Sequence, residues 1–104
     1  MNVTLSQYPS RAELRKLATW NSSDLRGALE YARSLWLYPG MARRYGRKYT
    51  FITGGWSGNE DVIAAIEKNL VLHGLCWKAS FSGGKHVYDI PKVFAEPGDK
   101  NEKR

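Results

Sequence analysis

Apolar positions along the chain recur first at helical spacing. In "PSRAELRKLATW", Ser10 stands three residues before Glu13, the spacing of a capping box, and Leu14, Leu17 and Ala18 follow as one short apolar stripe. Asn21, Ser22 and Ser23 break that helix and offer the cap of a second. The second, "SSDLRGALEYARSLWLYPG", is the clearest helix in the chain. Leu25, Ala28, Leu29, Ala32, Leu35 and Trp36 fall on one arc, with Arg26, Glu30 and Arg33 opposite, and Pro39-Gly40 ends it. A basic, glycine-interrupted loop follows, and then "KYTFIT" reads as a strand.

"TGGWSGNED" comes next, with Ser57 and Glu60 at capping-box spacing. Val62, Ile63, Ile66 and Leu70 form the stripe expected to be buried on a third helix, with Gly74 as its stop. "LCWKASF" and "HVYDI" read as two strands joined by the hairpin signal "SGGK", and Pro91 closes the second. The expected fold class is α+β: two N-terminal helices, then strand-helix-strand-strand, with a small mixed three-stranded sheet and a C-terminal hairpin. Residues 1–94 are expected to form a single domain, and residues 95–104, polar with Pro97 and Gly98, a flexible tail. A winged helix does not fit, because that arrangement places a strand between its first two helices.

Topology turns the glycine-rich stretch into a candidate site. The third helix must carry the chain back across the sheet, so the strand after it most simply runs parallel to "KYTFIT". Gly54, Gly55, Trp56, Ser57 and Asn59 then face Ser82, Gly83, Lys85 and His86 across one edge. Helix N-terminal N–H groups and glycines suit a nucleotide or small anion, Trp56 would stack on a base, and Lys85 and His86 would meet the charge. Against this, "GGWSGNED" lacks the lysine of a P-loop, and Glu60 and Asp61 repel anions. The plainer reading is a strand-to-helix turn with Trp56 in the core.

Composition is ordinary for a folded domain, with 42% hydrophobic and 25% charged residues. The net charge of +6 is uneven: residues 41–50 carry four basic side chains and no acidic one. Arg43, Arg44, Arg47 and Lys48 alternate there with Tyr45 and Tyr49, a candidate loop for a partner or for nucleic acid. With Gly83-Gly84 as the turn, Phe81 pairs with His86 and Lys78 with Asp89. Cys76 is then roughly 17 Å from His86, too far for a Cys–His dyad. The alternate hairpin face gathers Trp77, Ala79, Phe81, His86, Tyr88 and Ile90, either packed on the helices or presented as a stacking platform. The lone Cys76 and two histidines have no metal-ligand spacing, so neither metal nor cofactor is expected. The single cysteine, the absence of a signal pattern at the N-terminus and of any apolar run of about 20 residues point to a cytoplasmic protein with no membrane partner.

The block "TGGWSGNED" followed by "CWKASFSGGKHVYDI" resembles one found in small phage and prophage proteins, over a little more than a third of the chain. The resemblance implies an accessory protein acting inside an infected bacterium, binding and blocking a host or defence complex such as a CRISPR effector. It supplies no catalytic residues. The reading that results is a non-enzymatic inhibitor acting by protein contact. Its alternatives are a nucleic-acid binder using the basic loop and a nucleotide or small-anion binder at the glycine edge.

Overall fold

The computed structural model describes residues 8–94. Ser10 accepts from the Glu13 N–H and Glu13 reaches back to the Ser10 N–H, so the capping box starts α1 (Arg11–Ala18) as its sequence predicts. Asp24, rather than residues 21–23, caps α2 (Leu25–Ser34), accepting from the Gly27 N–H. The chain continues as β1 (Ala42–Tyr45), β2 (Lys48–Ile52), α3 (Ser57–Lys68), α4 (Leu70–Cys76), β3 (Trp77–Phe81) and β4 (Lys85–Asp89). One-turn 3-10 segments precede β1 and follow β4.

The class is α+β, but among the described residues the sheet has four strands in the order β1-β2-β4-β3, every neighbouring pair antiparallel. The expected mixed three-stranded sheet is therefore corrected in two places. Half of the basic loop is strand β1, which pairs along β2 from Ala42↔Phe51 to Tyr45↔Lys48. In addition, β3 does run in the direction of β2, yet β4 lies between them and makes both pairings antiparallel. Two exposed arginines in succession read as loop. On an edge strand only one side chain in two needs burial, and Ala42 supplies it.

Strand alternation gives the sheet two unlike faces. Ala42, Tyr49, Phe51 and Tyr88 are buried under the helices with Leu17, Leu29, Val62, Ile66 and Leu72. On the opposite face stand Arg43, Tyr45, Lys48, Thr50, Ile52, Lys85, Val87, Ala79 and Phe81, and none of these is buried. No helix among the described residues is long and apolar enough to cross a membrane.

The third helix differs from its expected form at both ends. Its N-cap is Trp56, with no side-chain cap, so Ser57 opens the helix instead of capping it. At Asn69 the backbone becomes extended (φ −85°, ψ 91°) and the chain turns into α4. Asn69 is buried; its Oδ1 accepts from the Leu72 N–H while its Nδ2 donates to the carbonyls of Leu17 and Trp20. A side-chain amide that offers a fresh N-cap competes with continuation of the helix. The stripe Val62, Ile63, Ile66 stays buried, but Leu70, beyond the break, is 80% exposed. Helix α4 also takes in Leu75 and Cys76, which the sequence assigns to a strand.

Candidate functional site

The glycine-rich turn forms first from backbone demand. Gly54 and Gly55 both have positive φ (64° and 80°), and the Trp56 N–H closes the turn on the Thr53 carbonyl. The edge expected from topology does assemble: the Thr53 N–H donates to the Gly84 carbonyl at 2.9 Å. Gly84 has φ 90°, and a Cβ there would run into the Thr53 hydroxyl.

The side chains of this edge face inward more than the sequence suggests. Asn59, a candidate ligand contact, is fully buried. Its Oδ1 accepts from the Leu37 N–H at 2.9 Å, and its Nδ2 donates to the carbonyls of Thr53 and Leu37 at 3.2 and 3.4 Å. It ties the start of α3 to the chain just before Tyr38, a non-glycine residue held at φ 65°. Trp56 is half-buried; its ring lies against Gly58, where a Cβ would collide with it, and 4.7 Å from the ring of Tyr8. Gly54, Gly55, Ser57 and Lys85 are exposed, and the Lys85 ammonium lies 5.3 Å from the Phe81 ring centroid. His86 is on the inner face opposite Ser80.

The hairpin register differs from the expected one. Ser82, Gly83 and Gly84 make a three-residue loop, so Phe81 pairs with Lys85 and Ser80 with His86, and a bulge lies between Trp77 and Ala79. Lys78 falls in that bulge and is not paired with Asp89. Trp77 Nε1 donates to Ser80 Oγ, which lies 2.9 Å from His86 Nδ1. The indole, hydroxyl and imidazole form a relay that fixes Trp77 over His73, ring centroids 5.6 Å apart. Burial draws the His86 pKa down, against an upward pull from Glu67 and Glu60. The expected face of Trp77, Ala79, Phe81, His86, Tyr88 and Ile90 is thus split: Trp77, His86 and Tyr88 point inward, Ala79 and Phe81 outward. Cys76 is buried, and burial with the nearby Asp89 pushes its thiol up to about 11, far from a reactive thiolate. Among the described residues no three His, Cys, Asp or Glu side chains gather as a metal set.

The basic segment divides by the same alternation. Arg47 Nη1 donates to the Ile90 carbonyl at 2.9 Å and anchors the hairpin to the end of β4. Arg44 turns toward α2, where its guanidinium is 3.7 Å from Glu30. There Glu30 accepts from the Tyr49 hydroxyl at 2.6 Å and pairs with Arg33 at 2.8 Å, and Arg26 donates to the Tyr49 oxygen. Arg26, Glu30 and Arg33, expected opposite the apolar arc of α2, fasten it to the first hairpin. Arg43 and Lys48 remain on the outer face.

Sequence reasoning missed one surface altogether. In α4, Leu72 and Cys76 point into the core, while Leu70, Val71, Gly74 and Leu75 occupy the opposite face and are exposed. Trp77, 44% exposed, continues that face. The signal lies in "NLVLHGLCW": once Asn69 is allowed to restart a helix, its apolar residues exceed what one buried stripe can hold. No family model matches the chain, and neither a curated protein nor a solved structure is significantly similar to it.

Proposed function

We propose that this chain is a non-enzymatic binding protein that docks on a partner protein through the outer face of α4. One observation carries the reading: Leu70, Val71, Leu75 and Trp77 are large apolar side chains, adjacent on one short helix and its exit, and all are substantially exposed. Such patches on small folded proteins mark interaction surfaces, and a part-exposed tryptophan beside aliphatic residues is the composition of an interface centre. The relay through Ser80 and His86 holds that tryptophan in a defined orientation before any partner arrives. A side chain already ordered loses less entropy on binding.

Following the resemblance to phage accessory proteins, the partner is a host or defence complex in the cytoplasm of an infected bacterium, and binding blocks it. The test compares the protein with a Leu70→Glu/Leu75→Glu variant in capture from nuclease-treated bacterial lysate. A complex retained by the parent and lost by the variant, with unchanged melting temperatures, supports the reading. Equal capture by both removes α4 from the interface. Sedimentation of the purified protein separates a foreign partner from self-association through the same face.

A further inference from the structure

We infer that the outer face of the sheet, on the side away from α4, is a track for single-stranded nucleic acid. Four features converge there. No described helix packs on this face, since its residues on all four strands are at least partly exposed. Arg43, Lys48 and Lys85 stand on it from three different strands, against one carboxylate among the described residues, Asp89. Two aromatic rings lie at opposite corners, Tyr45 on β1 and Phe81 on β3, 51% and 52% exposed. Between them the floor is Thr50 and Val87, paired directly across β2 and β4 and short enough to let a backbone approach.

The register fixes the direction of the track. Tyr45 lies beside Lys48, which pairs with Asp89, whereas Phe81 lies beside Lys85, four residues away along β4. Three strand spacings and four residue steps separate the two rings by a diagonal of about 19 Å. That is a short run of nucleotides and well under the roughly 34 Å of a duplex turn. Base faces are available for stacking only when unpaired, so exposed rings select single strands, while cations beside them neutralise phosphates. The Lys85 ammonium lies over the Phe81 ring, 5.3 Å from its centroid, so a base stacking on that face displaces it toward the neighbouring phosphate.

Anisotropy titrations with a fluorescein-labelled twelve-nucleotide oligothymidylate at low salt test this. Saturable binding is expected, at least tenfold tighter than for a duplex of the same length. Phe81→Ala and Tyr45→Ala should each weaken it on the order of tenfold. Arg43→Gln/Lys48→Gln/Lys85→Gln should weaken it further and flatten the log–log salt slope by about 2. The Leu70→Glu/Leu75→Glu variant should bind like the parent, which separates this face from the protein-docking reading. Thermal melts confirm that each variant is folded. Absence of saturable binding overturns the proposal, as does duplex binding of equal strength or aromatic variants that bind undiminished.

Discussion

The two ends of α3 make opposite use of their side chains. Its start is the most conspicuous stretch of the chain, with three glycines, a tryptophan and a capping pattern, yet its Thr53 and Asn59 are engaged inside the molecule. Asn59 bonds Leu37 and Thr53, Thr53 bonds Gly84, and Trp56 lies over Gly58. Its end looks ordinary in sequence, a lone Asn69 in an apolar run. There the buried amide turns the helix and leaves Leu70, Val71 and Leu75 in solvent. A dense motif, in this protein, reports how hard the backbone is to place. Uncommitted side chains report where a partner would sit.

The strongest way to break that contrast is Asn59→Ala set against Leu70→Ala. Removing the fully buried Asn59 amide leaves the part-buried Leu37 N–H and two carbonyls without their side-chain partner. A loss of about 2–4 kcal/mol is expected in urea unfolding. Leu70→Ala, on an exposed residue, should stay within about 0.5 kcal/mol. Comparable losses at the two positions would mean that the two ends of α3 are not differently employed.

Gly84→Ala sharpens the comparison from the hairpin side. The residue has φ 90°, and its Cβ would meet the Thr53 hydroxyl, so conformational strain and a clash coincide. The expected cost is roughly 1–3 kcal/mol. Gly74→Ala on the exposed face of α4 meets nothing within 4 Å and should stabilise instead, by up to about 1 kcal/mol, through helix propensity. The two substitutions are chemically identical, and equilibrium unfolding of both reads the sign directly. A destabilised Gly74→Ala would show that α4 is held by something other than its buried face.

Much of this architecture is legible in the sequence where a local device acts alone. The capping box of α1, the apolar arc of α2, the alternation of β2 and the glycine turn all follow from neighbours within a few residues. What escapes is decided at longer range. Strand β1 exists because β2 offers it an edge, and two adjacent arginines give no local hint of that. The break at Asn69 is secured by carbonyls of Leu17 and Trp20, about fifty positions earlier. The hairpin register moved by one because Ser82 joined the loop, which turned Phe81 outward and His86 inward. Each of those misses bears on a candidate surface, since exposure on a helix or strand hangs on a single-residue phase.

Glu30 lies between the two extremes, half-exposed but engaged, and predicts the smallest effect. Burial pushes its pKa up. Hydrogen bonds from Tyr49 and Arg33, with the charges of Arg33 and Arg44, outweigh that and hold it below the ordinary 4.5. A carboxyl whose pKa is lower folded than unfolded contributes stability above its unfolded value and loses it as pH falls through the folded one. Urea midpoints of the parent and Glu30→Gln should therefore differ most at neutral pH and converge as pH falls below 4.5. Its side chain is 36% exposed, so solvent screens the interaction and the gap should be modest and shrink with added salt. Glutamine keeps an acceptor for the Tyr49 hydroxyl, so the pH-dependent part isolates the charge. A gap that stays constant from neutral to acid would assign the role of Glu30 to packing and hydrogen bonding. The contacts that fasten α2 to the first hairpin would then act without an electrostatic contribution.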